Sequence, residues 1–335
     1  MGEFELIRNF FAAAPCAQGG EGVALGIGDD CALLDVPFGE QLAISTDTLV
    51  AGVHFADPCD PFLLGQRSLA VAASDLAAMG ATPVAFTLAL TLPTFDAEWL
   101  QTYARGLNLM AQACDLRLIG GDTTRGPLNL CLTALGEVPT GQALRRDGAR
   151  FGDDVWVSGR PGLAALGLAH LQERAALSDD LRSRCIDSLQ KPLPRVELGL
   201  ALQRRGLAHS AIDISDGLLA DIGHIAECSR LDIEILLEQL PVLPAGVDAA
   251  LARECQLAGG DDYELAFTAA LEKRMEMAAL AVELDLPLWR IGQVVAGQFG
   301  QSADGRAAGT VQHRQESPFG DDADVGNRVI QRSQT

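Results

Sequence analysis

The sequence predicts a two-domain protein of α/β class and α+β type. Three observations carry that expectation. A chain of 335 residues is long enough for two ordinary cores. Strand-like and helix-period runs are intermixed through its first 140 residues. The segment 139–154 is polar and glycine-bearing, with Arg145, Arg146 and Arg150, and reads as a boundary. The expected units are 1–140 and 150–300, followed by a tail, 301–335. That tail is rich in Gly, Asp, Gln and Arg without periodicity, and is expected to be poorly ordered.

Each element has a local reason. Residues 4–13 alternate at helical spacing. Gln41 to Val50 reads as a strand with Ser45-Thr46-Asp47 within it. Asp57-Pro58 and Asp60-Pro61 signal a turn and a helix start, and Phe62 to Met79 continues as a helix stopped by Gly80. Pro83 to Leu92 is a strand, Glu98 to Leu116 an amphipathic helix, and 116–122 and 128–138 are strands. Past the boundary, strands are expected over 154–159, 211–217, 231–237, 263–269 and 289–295. Helices are expected over 162–172, 196–205, 218–228, 244–254 and 271–283, with a charged helical excursion at 173–190.

Composition narrows the function. The formal charge of −20 argues against nucleic acid, which needs clustered Lys and Arg, and against an anionic membrane surface. No run approaches the roughly 20 apolar residues of a membrane span. The eight cysteines are scattered, with no C-x-x-C pair, as in a reduced cytoplasmic protein. The acidic N-terminus does not read as a signal peptide. Only two lysines occur, Lys191 and Lys273, and no P-loop sequence. If the chain handles nucleotide phosphates, then Arg, backbone N–H groups and metal must neutralise them.

The chemistry-bearing pattern is a set of aspartates behind small residues. Gly26-Ile27-Gly28-Asp29-Asp30 places two carboxylates together beside apolar residues, a cost that water, a partner or a cation must offset. The pattern recurs at Ser45-Thr46-Asp47, Ser74-Asp75, Gly120-Gly121-Asp122, Asp213-Ile214-Ser215-Asp216-Gly217 and Gly259-Gly260-Asp261-Asp262-Tyr263-Glu264. Each motif alone reads equally as a turn or a helix cap. Together they are expected to converge on a magnesium–phosphate site, because Mg²⁺ takes oxygen ligands and shares them with phosphate. Such a site works by positioning and charge neutralisation, so no covalent catalyst or strong general base is assigned. His54 reads either as a functional loop histidine or as one bonded to backbone. Tyr103, on an apolar helix face, reads as core or as an adenine platform.

In their order, these motifs resemble the thiamine-monophosphate kinase family, with Met79-Gly80-Ala81 and Arg146-Asp147-Gly148-Ala149 completing the set. That family is a member of the superfamily of aminoimidazole ribonucleotide synthetase and selenophosphate synthetase. The resemblance covers roughly residues 1–300. It implies that superfamily's two-domain fold, with N-terminal domains pairing in a homodimer and ATP in a cleft at the interface. It implies direct transfer of the γ-phosphoryl of ATP to thiamine monophosphate, giving thiamine diphosphate, with several Mg²⁺ ions. By the resemblance, Asp30, Ser45, Thr46, Asp47, Asp75, Asp122, Asp213 and Asp216 match metal positions. Gly121, Asp122, Arg146 and Ser215 match the ATP site, Tyr103 more loosely, and His54 and Glu264 match contacts to the thiamine phosphate. The family's closing Gly-aromatic-x-His-Phe stretch has its nearest match in Gly309-Thr310-Val311-Gln312-His313-Arg314, which lacks the aromatics.

The competing readings are a selenophosphate synthetase, disfavoured by the absence of Lys before position 191, and a hydrogenase-maturation relative, disfavoured by the absence of a late Cys. A cation-binding scaffold without turnover is the non-enzymatic alternative.

Overall fold

The computed structural model describes residues 7–27, 31–242, 244–297 and 310–314. A π-helical turn, Ile7–Ala12, lies within the segment expected to be helical. A short antiparallel pair, β1 (Val23–Leu25) and β2 (Leu33–Leu34), flanks the Gly26–Asp30 motif. Residues 28–30 of that motif, and with them the predicted ligand Asp30, lie outside the described residues.

Strand β3 (Glu40–Val50), helix α1 (Pro61–Ala78), strand β4 (Thr82–Leu92), helix α2 (Ala97–Ala113) and strands β5 (Arg117–Arg125) and β6 (Asn129–Pro139) build the N-terminal layer. Its four strands run in the order β3-β6-β4-β5. Only β4 and β5 are parallel, joined across α2 as a parallel connection requires. Alternation sends Leu130, Leu132, Ala134, Phe86 and Leu90 to one face, where they pack on Leu69, Leu76 and Leu107 of the two helices. The opposite face is covered at one end, where Val23 and Leu34 of the β1–β2 pair pack with Val84, Ala85 and Leu135; the rest of it, which carries Ile44, Thr46, Thr48 and Ala89, is left uncovered by the described residues, and Ile44 is 61% exposed.

Helix α1 is organised for burial. Asp60 caps it by accepting from the N–H groups of Phe62 (2.8 Å) and Leu63 (3.4 Å), and Pro61 opens its first turn. Its alanines are buried on nearly every side, as expected for a helix surrounded by protein. Gly65 and Gly106 let α1 and α2 cross at contact distance: a Cβ at Gly106 would lie 1.9 Å from the Phe62 carbonyl.

The second layer contains strand β7 (Asp154–Ser158), helices α3 (Leu163–Leu171), α4 (Asp179–Gln190) and α5 (Val196–Arg204), and strand β8 (Ser210–Asp213). Helix α6 (Leu218–Ser229), strand β9 (Asp232–Leu236), helix α7 (Ala249–Ala258), strand β10 (Leu265–Ala269), helix α8 (Arg274–Glu283), strand β11 (Leu288–Val295) and strand β12 (Val311–Arg314) follow. Six strands form a sheet in the order β12-β9-β11-β7-β10-β8, antiparallel throughout except for β12 on β9. One face packs Trp156 and Phe267 against α5, α8 and the end of α1. The other packs Val155, Val157, Ile212, Ile233 and Val294 against α6.

Two differences from the sequence reading stand out. Strand β12 lies inside the segment expected to lack order; Val311-Gln312-His313-Arg314 has no apolar alternation, and its strand character comes from pairing with β9. The helix expected over 244–254 runs instead over Ala249–Ala258, because Asp248 caps it by accepting from the Leu251 N–H at 2.9 Å.

Candidate active site

Three of the predicted carboxylates meet where α1 lies between the two sheets. Asp47 projects from β3 on its helix-facing side, in register with Leu132. Asp75 projects from α1, and Asp213 ends β8. Ser45, two residues before Asp47 and therefore on the same strand face, donates its hydroxyl to Asp75 Oδ2. Ser74 donates to Asp213 Oδ2 at 2.8 Å. Asp47 Oδ2 is buried with no hydrogen-bond partner. Ionised, Asp47 and Asp75 present acceptor to acceptor, and their contact becomes a hydrogen bond only if one holds a proton. Burial first, then the charge of Asp75, raises the Asp47 carboxyl to about 6. Burial and Asp75 likewise raise Asp213 to about 7, against the opposing Ser74 bond.

The loop after β8 is held from below by a residue the sequence reading missed. Asp221, in the first turn of α6, accepts from the N–H groups of Ser215 (3.0 Å), Asp216 (3.1 Å) and Gly217 (3.0 Å). It reaches back over the helix start as the acidic member of a capping box does. The signal was an acidic residue four positions after the glycine. With Asp221 holding the loop, the Asp216 carboxylate is exposed beside the cluster.

The Gly259–Glu264 stretch uses its carboxylates differently. Asp261 pairs with Arg67 of α1 at 2.9 Å and accepts from the Tyr263 hydroxyl at 3.0 Å. Asp262 accepts from the N–H groups of Gly162 (2.7 Å) and Ala164 (3.4 Å) at the start of α3. Glu264 accepts from Arg195 through both oxygens, and from Ser158. Each is engaged within the chain; none joins the Asp47–Asp75–Asp213 cluster. Sequence reading had no signal for Arg67, Arg195 or Ser158 as partners.

The remaining candidates are dispersed. Register aligns Thr48, Cys131, Ala89 and Asp122 across the N-terminal sheet. Asp122 is therefore exposed on the uncovered face and on the opposite edge from β3, three strand spacings or about 14 Å away. Within one chain it is not a co-ligand of Asp47. Gly121, beside it, has φ +152°, and a Cβ there would meet the Leu88 carbonyl at 1.9 Å. Thr46 also faces the uncovered side, its hydroxyl 2.9 Å from that of Thr133, so only its main chain is left for the cluster.

His54 is exposed after β3, its Nδ1 accepting from the Val50 N–H at 3.0 Å. Arg146 is exposed, and its carbonyl accepts from Ser229 at the far end of α6. Twelve residues of helix, about 18 Å, separate that end from the Ser215 loop, so one chain does not join Arg146 to Ser215. Tyr103 is a correction: it is 0% exposed, stacked on Trp99 (5.3 Å) and bonded to Ser68 (3.1 Å). The apolar period of α2 turns it into the core.

Among the described residues no three His, Cys, Asp or Glu side chains are arranged to hold an ion by themselves. Mg²⁺ does not need that many, since one or two carboxylates plus water and substrate phosphate complete its shell. The orphaned Asp47 oxygen, beside Asp75 and near Asp213, with no Lys or Arg among the described residues bonded to any of them, is the donor set such an ion fits.

The chain is similar to known proteins along most of its length. Residues 28–138 match the family model of the AIR synthase related protein, N-terminal domain, and residues 150–304 that of the C-terminal domain. The chain is 47% identical to the thiamine-monophosphate kinase of Escherichia coli over 88% of this chain and 91% of that one. The solved thiamine-monophosphate kinase of Stenotrophomonas maltophilia superposes with a TM-score of 0.78 at 49% identity, over 86% of this chain and 93% of that one. A solved complex of AaThiL with AMPPCP and TMP superposes with a TM-score of 0.71 at 27% identity, over 85% and 87% of the two chains.

Proposed function

The chain belongs to the thiamine-monophosphate kinase family, and from that premise we infer how it turns over. It phosphorylates thiamine monophosphate at the expense of ATP, giving thiamine diphosphate. The proposed mechanism is direct in-line transfer at the Asp47–Asp75–Asp213 cluster. The observation that carries it is the buried, unpartnered Asp47 oxygen among mutually repelling carboxylates.

In this reading Asp47, Asp75, Asp213 and Asp216 would hold Mg²⁺, with Ser45 and the main chain of Thr46 at the rim, and Asp30 is proposed as a further ligand. Bound there, Mg²⁺ would neutralise the phosphates of ATP and of the acceptor. Ser45 and Ser74 orient two of the carboxylates, and Asp221 holds the Ser215 loop ready. The acceptor is a phosphate, already ionised near neutral pH, so no side chain is needed to remove a proton. His54 is proposed to face the thiamine phosphate. Glu264, which accepts three bonds within the chain, keeps room for one more contact.

A homodimer completes the proposal. The uncovered part of that sheet face, where exposed Leu42 and Ile44 on the edge strand lie among threonines, is a mixed surface suited to a second copy. Pairing there would carry Gly121 and Asp122 of one copy toward the cluster of the other. Arg146, exposed on the same chain, would meet phosphate in that cleft. The absence of a membrane-crossing helix among the described residues fits a cytoplasmic enzyme.

Incubation with ATP, Mg²⁺ and thiamine monophosphate tests the reading. Equimolar ADP and thiamine diphosphate are expected. Release of AMP and phosphate, or no turnover, would overturn it.

A further inference from the structure

Helix α1 touches the second layer at two points on one face. Ser74 reaches Asp213, and seven residues earlier, two turns along the same face, Arg67 reaches Asp261. The Arg67 side chain is 9% exposed and that of Asp261 32%. Arg67 Nε is itself buried with no partner, so the guanidinium is held through its Nη2 contact to Asp261.

Asp261 is rigidly tied to the loop that ends in the cluster. Its N–H donates to the Ser215 carbonyl (2.9 Å), the Tyr263 N–H to the Ile214 carbonyl (2.8 Å), and the Ile214 N–H to the Glu264 carbonyl (2.8 Å). Asp261 and Tyr263 both adopt positive φ, +67° and +51°, a conformation that costs energy in non-glycine residues and persists where its surroundings impose it. Gly260 approaches the same loop so closely that a Cβ would lie 2.3 Å from the Ser215 carbonyl. The 259–264 stretch and the 213–217 loop therefore move as one body.

We propose that Arg67 is a positioning residue: through Asp261 it sets the 213–217 loop against α1, and so registers Asp213 and Asp216 on Asp47 and Asp75. The alternative, a surface ion pair of no consequence, does not suit a nearly buried guanidinium aimed across two layers. The proposal rests on the Mg²⁺ reading above and extends it to a residue 194 positions from its partner. Groups that orient metal ligands without touching the metal typically control affinity or activity by about 10- to 100-fold.

The test is Mg²⁺ titration of full-length protein, followed by calorimetry and by thermal shift, with steady-state kinetics alongside. Arg67→Gln should raise half-saturating Mg²⁺ by about 10- to 100-fold and lower kcat, while Arg67→Lys recovers much of both. Asp261→Asn should reproduce Arg67→Gln, and the double variant should be no worse than either. A purely structural pair would lower the melting temperature and leave half-saturating Mg²⁺ unchanged, and that result overturns the proposal. Should Arg67→Gln fail to fold, Arg67→Lys and Asp261→Asn decide by the same readout. Asp47→Asn and Asp75→Asn serve as controls for the underlying reading. If they too leave the Mg²⁺ response intact, the metal assignment fails; if they abolish it and Asp261→Asn does not, only the strut fails.

Discussion

Two acidic regions that look alike as sequence behave oppositely as structure. In the 259–264 stretch every carboxylate has a donor: Arg67 for Asp261, helix N–H groups for Asp262, Arg195 and Ser158 for Glu264. Among the described residues only serine hydroxyls bond the carboxylates of the Asp47–Asp75–Asp213 cluster, and one Asp47 oxygen has nothing. A buried carboxylate with a partner is architecture, while one without a partner is costly and persists where something else will bind it. The difference between the two regions lies in the donors brought to them, not in the glycine-aspartate pattern they share.

The sharpest way to break that comparison is to neutralise one member of the unpartnered cluster. Asp47→Asn should lower kcat by about 100- to 1,000-fold, the scale of one lost charge-stabilising group, while the fold survives. Without metal the variant should melt no lower than wild type, because the substitution removes repulsion from Asp75. Steady-state kinetics and a melting curve check both halves. Near-normal turnover at saturating Mg²⁺ would return Asp47 to the architectural class.

The partnered region should fail in the other direction. Glu264→Ala strands the Arg195 guanidinium, whose side chain is 23% exposed, without its bidentate partner. Removing one partner of such a pair costs about 3 kcal/mol. Urea denaturation should show that loss with the slope of the transition unchanged. A loss below about 1 kcal/mol would mean that the pair is screened like a surface bridge.

The distinction was only half legible in the sequence. The long strands and α1 announce themselves through period and through Asp60-Pro61, and the gathering of Asp47, Asp75 and Asp213 follows from where those elements end. The donors do not announce themselves, because Arg67 and Asp261 lie 194 residues apart and nothing local links them. Strand face was equally hidden. A one-residue step on β5 decides whether Gly121 or Asp122 looks toward the helices, and the register with Leu88 and Ala89 turns Asp122 to the uncovered side. Residues 28–30 lie outside the described residues, so the motif at Asp30 stays an expectation of sequence and family.

Proton linkage offers a gentler probe. Asp47 and Asp213 are raised to about 6 and about 7, above the ordinary 3.8. The folded chain therefore binds protons that the unfolded chain releases between about pH 4 and 7. Metal-free stability from these groups is highest below pH 4, falls as pH rises through that window, and levels off above pH 7. Relative to Asp47→Asn, metal-free wild type should lose melting temperature between about pH 4 and 6, the span over which the Asp47 carboxyl ionises in the unfolded and then in the folded chain. The thermal shift produced by Mg²⁺ should grow over the same range. A Mg²⁺ shift independent of pH would contradict a cluster that ionises in order to bind.

The smallest effect expected belongs to Tyr103, where resemblance and structure part. Its hydroxyl bonds Ser68, whose own hydroxyl donates to the Gly65 carbonyl at 3.1 Å, and its ring lies within 7° of parallel to Trp99. Tyr103→Phe keeps the ring and the stack and loses one buried hydrogen bond, about 1 kcal/mol. Its kcat and its KM for ATP should stay within about twofold of wild type, since 1.4 kcal/mol would be needed for a tenfold change. Denaturation and ATP-dependent kinetics on the same preparation separate the two roles. A tenfold rise in KM for ATP without loss of stability would mean that α2 opens to admit the nucleotide, and would move Tyr103 from the core to the site.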